Sequence, residues 1–367
     1  MTDNLRPARH DEEDWVQQCL AAYDIGAVRR TETLEGGMFL RPRLIEAAQG
    51  RYVLRAHPFR NDTLRFRFQA GVVNHAADQG IACARVLPRA DGRWGAQRLG
   101  AFWALHEYVD GDVLSWDRWS SLKRESPALL ESLGHHVARL HDALADAPIE
   151  GEPSLAHAVP TIRFHRLVAC RRHFRATVRD FPRPPARFRE TVKALGDPRI
   201  EAAWNAVVET GHRKRAGCLP RQVVHGDLSP VNLIWRTGAI ETSRMPALID
   251  WDCTHVGLRL YDALGDVLIR APWDRPEYHT FEPDEVRAYL RGYVSGTRRP
   301  LSQEECACVP LFLMARQLED LRQRAAAIAW LPDDRDAEFA GLVRMRVGFL
   351  NQLMPYLLEE KGPSPWT

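Results

Sequence analysis

At 367 residues the chain is too long for one small core and long enough for two lobes. Its 45% apolar and 27% charged residues are those of a soluble globular protein, and no apolar run approaches the ~20 residues of a membrane-spanning helix. The near-neutral net charge of +2 and the odd count of seven scattered cysteines exclude a polyelectrolyte and argue against a disulfide framework. Cys306 and Cys308 sit too close together for a normal zinc pair. The polar N-terminus has no apolar segment like that of a secretory signal, so a cytoplasmic enzyme is the expectation.

In chain order, residues 11–23 carry Trp15, Val16, Cys19, Leu20 and Tyr23 at helical spacing. Strand-like runs follow at 27–37, 38–50 and 51–58, with period-2 alternation clearest in RYVLRAHP. Residues 62–79 read as a helix ending at Gly80, and ACARVLP and AFWALHEYV as two further strands. The first 109 residues thus form a strand-rich unit, and 110–367 a mostly helical one. In the latter, helices are expected over 132–147, 157–180, 282–296 and 303–329.

Two stretches interrupt those helices. VVHGDLSPVNLIW (223–235) places His225, Asp227 and Asn232 between short apolar runs, and ALIDWD (247–252) ends an apolar run in Asp250 and Asp252. Magnesium takes hard oxygen ligands, commonly one or two carboxylates together with substrate phosphates. Asn232 and Asp250 suit that set, which leaves Asp227 to orient an attacking hydroxyl and accept its proton. Phosphoryl transfer asks little more of a protein than positioning and charge neutralisation.

HGDLSPVN followed by LIDWD resembles the catalytic loop and metal segment of the aminoglycoside phosphotransferase/choline kinase superfamily. Glu35-Gly36-Gly37 resembles its nucleotide-covering turn, RYVLRAH its third strand, HEYVDG its hinge, and GHHVARLHDAL the helix before the catalytic loop. GLRLYDALGD is similar to the helix after the metal segment in N-acetylhexosamine 1-kinase-like members. The resemblance spans residues 25–330. It implies an α+β, protein-kinase-like fold with a small antiparallel-sheet N-lobe (1–109) and a larger helical C-lobe (110–367) containing an insert over 145–215. It further implies ATP as donor, with GTP open, and Mg2+ on Asn232 and Asp250, with Asp252 as an accessory acid beside the metal. Asp227 would be the catalytic base. Gly36 and Gly37 would approach the phosphates, and Glu107 to Val109 would meet the adenine through their backbone.

The chain departs from the family where a lysine on the third strand normally pairs with a helix glutamate. Arg55 and Gln69 stand at those positions, and no lysine precedes Lys123. Arginine keeps the charge and grips phosphate as a fork rather than a point. A nucleotide-binding module without turnover is the competing reading.

The acceptor is expected to be a small-molecule hydroxyl on a sugar, amino sugar or natural product such as an antibiotic; aminoglycoside, homoserine, choline and protein acceptors stay open. From Arg163 to Arg199 eleven basic residues face three acids, which fits poorly with a polycationic aminoglycoside. Arg171 and Arg175 in that insert, and Asp262 after the metal segment, are the candidate acceptor contacts. Asp266, Glu319, Asp320, Trp273 and Trp330 rank below them. Phe164, Phe174, Phe181 and Phe188 interleave with the arginines at a spacing that also suits helix packing, so nucleic acid is not the expected partner. The sequence leaves the oligomeric state open.

Overall fold

The computed structural model describes residues 9–34, 41–57, 63–98, 101–148, 164–179, 188–236, 246–265, 268, 282–327 and 336–358. After helix α1 (Arg9–Leu20), a five-stranded antiparallel sheet is built from β1 (Val28–Thr33), β2 (Arg43–Ala47), β3 (Gly50–His57), β4 (Ala96–Arg98) and β5 (Ala101–Glu107). Its strand order is β1-β2-β3-β5-β4, with helix α2 (Thr63–Asp78) between β3 and β4 in the chain. Alternation explains how the sheet serves two cores. Tyr52, Leu54 and Ala56 of β3 and Ala101, Trp103 and Leu105 of β5 pack with Val16, Leu20 and Tyr23 around α1. Phe102 and Ala104 join Phe66, Val72 and Val73 of α2 in the larger core of the helical part. The same period turns Arg55 and His57 towards α2, where the His57 ring meets Phe66 edge-on at 4.6 Å.

Helix α2 ends as expected at Gly80, which has φ +80°; Ile81 N–H donates to Ala76 and Gly80 N–H to Ala77, a Schellman closure. ACARVLP differs from expectation: it makes isolated bridges and no regular strand. Its bonds are divided, with Glu107 N–H donating to Arg85 and Leu87 N–H to Leu105 on one side, and Leu248 N–H to Ala82 on the other. A segment bonded to the sheet at one end and to Leu248 at the other has no single partner to zip along.

The remainder is helical: α3 (Trp116–Glu125), α4 (Pro127–Leu144), α5 (Leu167–Arg179), α6 (Arg189–Leu195), α7 (Pro198–Arg213) and α8 (Arg259–Ala263). Four more follow: α9 (Pro283–Gly296), α10 (Gln303–Ala307), α11 (Val309–Ala327) and α12 (Asp336–Leu358). The expected single helix over 303–329 is two helices. Pro310 has no N–H and its ring would strike the carbonyl four residues back, so a new helix starts with the proline in its first turn. Short ribbons carry the loops: β6 (Asp112–Val113), β8 (Leu233–Trp235) and β9 (Ala247–Leu248) form one, β7 (Gln222–Val224) and β10 (His255–Gly257) the other.

Helices α4 and α9 touch backbone to backbone. A Cβ at Gly292 would lie 1.7 Å from the Glu131 carbonyl oxygen, and one at Gly134 1.9 Å from that of Tyr289. Gly292→Ala is therefore expected to destabilise the chain by about 1–3 kcal/mol or more, read as a lowered urea midpoint at unchanged slope. A midpoint equal to that of the wild type would show that the helices can separate freely.

Candidate active site

The apolar pair Val223 and Val224 buries β7, and the chain then turns at Gly226, which has φ +86°. A Cβ there would fall 2.2 Å from the Cys253 carbonyl oxygen, so only glycine lets the loop pass this close to the metal segment. Two buried polar groups hold the turn. Asp262 on α8 accepts from the amides of His225 at 3.1 Å and Gly226 at 2.9 Å, and from His141 Nε2 at 3.1 Å. A carboxylate only accepts, so His141 carries its proton on Nε2 and its Nδ1 accepts from the Tyr293 hydroxyl at 2.8 Å. Burial opposes ionisation of Asp262, but the His141 bond and the nearby His141, His225 and Arg316 bring its pKa down to about 2. His225 accepts the Asp227 amide on Nδ1 at 3.2 Å and donates from Nε2 to the Ile249 carbonyl at 3.1 Å. Its ring lies 4.6 Å from that of Trp251, so one neutral imidazole spans loop and metal segment.

The ribbon β8–β9 sets the remaining geometry. Leu233 pairs with Leu248, and Ile249 N–H donates to the Asn232 carbonyl at 3.1 Å, so Asn232 and Asp250 arrive side by side. Asn232 donates its amide nitrogen to the Asp227 carbonyl and to Asp227 Oδ2, both at 3.0 Å. Its oxygen is thereby aimed the other way. Asp250 has φ 60° and ψ 62°, a left-handed conformation that costs a side-chain-bearing residue about 1–3 kcal/mol and persists where the surroundings impose it. An amide oxygen and a partly exposed carboxylate side by side fit a hard divalent cation that shares its remaining positions with phosphate and water.

Arg55 and Gln69 are both at this site, in an arrangement other than the expected direct contact. Arg55 Nη2 donates to Asp250 Oδ1 at 2.6 Å and to Asp252 Oδ2 at 2.9 Å. Gln69 donates to Asp252 Oδ1 at 3.1 Å, and His57 Nδ1 donates to the same oxygen at 2.8 Å. Arg65, one turn before Gln69 on α2, donates to the Asp252 backbone carbonyl at 2.7 Å. Burial works against the Asp252 charge, yet His57 and Arg55 beside it and the bonds from His57 and Gln69 hold its carboxyl well below the usual range. Both oxygens of Asp252 are thus taken by protein donors, which leaves it poorly placed for the role of metal ligand.

The remaining expected residues fall elsewhere. Gly36 and Gly37 lie outside the described residues, as do Asp266, Trp273 and Trp330. Glu107 ends β5, its amide and that of Tyr108 donating to the Arg85 and Arg51 carbonyls, and Val109 follows directly, half-buried. Asp262 as an acceptor contact is corrected: it is 2% exposed and its oxygens are spent on the catalytic loop. Arg171 bonds Asn205, and Arg175 grips Glu201 through Nε at 2.9 Å and a second contact, so both tie α5 to α7 across an exposed surface. Glu319 is buried and bonds the Tyr261 hydroxyl, while Asp320 accepts from Arg346 at 2.9 Å.

Sequence reasoning passed over His57, Arg65 and His141. His57 and His106 face each other with 3.0 Å between their Nε2 atoms, and His57 Nδ1 meets Asp252 on its other side. The one available signal was that RYVLRAH alternates, which placed His57 on the face of Arg55. Burial is the main reason His57, His106 and His225 stay below the ordinary histidine pKa; Asp252 and Asp262 only partly counter it for the first and last. Below about pH 6.5 the unfolded chain takes up protons that the folded chain refuses, so stability falls as pH falls. The melting temperature is expected to hold between pH 7 and 8 and to drop steadily below about 6.5, each histidine contributing up to about 1.4 kcal/mol per pH unit. A flat profile down to pH 5 would mean that the folded protein accepts these protons.

A small antiparallel sheet over a helical part, with a base-type aspartate, an adjacent asparagine and a metal-type aspartate at their junction, defines a kinase-like phosphotransferase. Residues 34–301 match the profile of the APH phosphotransferase enzyme family, and the chain belongs to that family. It is a small-molecule kinase that transfers a phosphoryl group to a hydroxyl. A homoserine kinase of Paramagnetospirillum magneticum is 25% identical over 316 residues, covering 85% of this chain and 86% of that protein. One of Rhizobium meliloti is 24% identical over 299 residues, covering 82% and 79%. Among solved structures, a microcompartment-associated aminopropanol kinase has a TM-score of 0.63 at 18% identity, covering 94% of this chain and 98% of that one. An aminoglycoside phosphotransferase of Alicyclobacillus acidocaldarius has 0.59 at 16%, covering 93% and 96%. These two share the fold. Among the described residues no helix is long and apolar enough to cross a membrane.

Proposed function

We propose that the chain phosphorylates the hydroxyl of a small amino alcohol or hydroxy amino acid, with homoserine as the first acceptor to test, using ATP and magnesium. The observation that carries the reaction is the Asn232–Asp227 bond beside Asp250. It orients the base and turns the Asn232 oxygen away from it, while the pairing of Ile249 with Asn232 brings Asp250 alongside. The acceptor class rests on the homoserine kinases, which align over four-fifths of the chain.

Residues 1–109 act as the nucleotide lobe, with the adenine at Glu107–Val109 and the phosphates towards Arg55. Asp250 and the Asn232 oxygen would hold magnesium, which when bound neutralises charge on the transferring phosphate. Asp227 orients the acceptor hydroxyl, and its carboxylate takes the proton as the new O–P bond forms. Asp262, His141 and His225 keep that carboxylate in place.

ADP release measured against a panel of homoserine, aminopropanol, choline, an aminoglycoside and spectinomycin tests the acceptor. Homoserine or aminopropanol is expected to stimulate release at least tenfold above the rate with ATP alone. Stimulation by the aminoglycoside or spectinomycin alone would overturn the acceptor class, and stimulation by none would overturn the proposed acceptors altogether.

A further inference from the structure

We propose that Asp252 is the anion that positions Arg55 for the nucleotide phosphates, so that the ion pair beneath the phosphates is carried by the metal segment rather than by helix α2. This rests on the reading of the site as an ATP-dependent phosphotransferase.

A guanidinium on β3 needs a fixed counter-charge, or it swings freely over several rotamers. Gln69 on α2 brings no charge, and its amide donates to Asp252 at 3.1 Å. Two carboxylates supply the charge, Asp250 Oδ1 at 2.6 Å and Asp252 Oδ2 at 2.9 Å from Arg55 Nη2, and Asp252 is further held by His57 and Gln69. Asp252 is itself aimed by four contacts from two elements of the N-terminal part: Arg55 and His57 on β3, and Arg65 and Gln69 on α2. Arg65 and Gln69 lie four residues apart, on one face of α2, so the helix docks on the metal segment as a unit. Asp252 is 13% exposed in its side chain against 38% for Asp250. The two aspartates of IDWD therefore divide the work. Asp250 touches the arginine and is also open to the site, whereas Asp252 is turned inward, where holding the arginine is its role.

The division also accounts for Arg55 and Gln69 occurring together. With the counter-charge supplied by Asp252, a glutamate at position 69 would set a second buried carboxylate against the first. A neutral amide supplies a donor in its place.

Two roles for Asp252 are separable by binding ADP with and without metal. Wild type, Arg55→Ala, Asp252→Asn and the double variant are titrated with ADP by calorimetry, once in EDTA and once in magnesium, with circular dichroism as the folding check. Asp252→Asn is expected to weaken ADP about tenfold in both buffers, the loss of one charge-assisted bond's worth of positioning. The double variant is expected to bind no more weakly than Arg55→Ala alone, because Asp252 acts through Arg55. Loss of affinity in magnesium only, or losses that multiply in the double variant, would make Asp252 a metal ligand and overturn the proposal. Unchanged ADP affinity in Asp252→Asn would overturn it as well. If Asp252→Asn does not fold, Gln69→Leu, which keeps the charge and removes one bond that aims it, carries the same cycle. A two- to fivefold loss absorbed by Arg55→Ala is then expected, and a loss that adds to it contradicts the proposal. Wild type that fails to bind ADP at all would instead sink the phosphotransferase reading on which the proposal stands.

Discussion

Asp227→Asn is expected to lower turnover by about two to four orders of magnitude while ADP affinity stays within about twofold of wild type. The asparagine keeps the size of the side chain and its bond to Asn232, but it loses the charge that draws a proton from the acceptor hydroxyl. None of the groups proposed for the nucleotide, Arg55, Glu107 and Val109, bonds the Asp227 side chain among the described residues. Its backbone amide donates to His225 and its backbone carbonyl accepts from Asn232, two bonds that the substitution leaves in place. Steady-state rates at saturating acceptor, set beside ADP titrations, separate the two effects. Retained turnover would show that another group takes the proton, and lost ADP binding would show that Asp227 serves the nucleotide.

Asp262→Ala is expected to act on the opposite quantity. Three donors converge on this carboxylate, two of them backbone amides, and the residue is only 2% exposed. Truncation leaves those donors, His141 Nε2 and the His225 and Gly226 amides, buried and unsatisfied. The loss is expected to be about 3–5 kcal/mol of stability, with activity disappearing because the Asp227 turn is no longer held. Denaturant unfolding decides this directly. A stable Asp262→Ala protein with a raised acceptor KM and an unchanged urea midpoint would return Asp262 to the acceptor site.

Much of the site was legible because its chemistry is local. Asp227 and Asn232 are five residues apart between apolar strands, and the apolar run before Asp250 announces a buried ribbon that brings a carboxylate to the same place. Arg55 could be read as unusual because the resemblance places a lysine at that position of the third strand. What Arg55 touches was not readable, since its partners are almost two hundred residues away and depend on how β9 docks against the sheet. The same applies to ACARVLP, whose strand-like composition is real but whose hydrogen bonds are split between two elements. Arg171 and Arg175 looked like acceptor contacts because charge density is visible in a sequence. Their pairing with Asn205 and Glu201 on α7 is not. Helix α12 went unseen for a related reason: with Phe339, Leu342, Val343, Phe349 and Leu350 all buried, it has too little polar contrast for a clear amphipathic signal.

The central claim is that Asp227, Asn232 and Asp250 together pass a phosphoryl group from ATP to an acceptor hydroxyl. Mass spectrometry of homoserine incubated with ATP, magnesium and equal amounts of wild type or Asp227→Asn tests it most directly. Wild type is expected to convert homoserine to a product heavier by one phosphoryl group, in step with the ADP formed, and the variant is expected to form essentially none. Equal product from both proteins, or ADP formed without any phosphorylated acceptor, would contradict it.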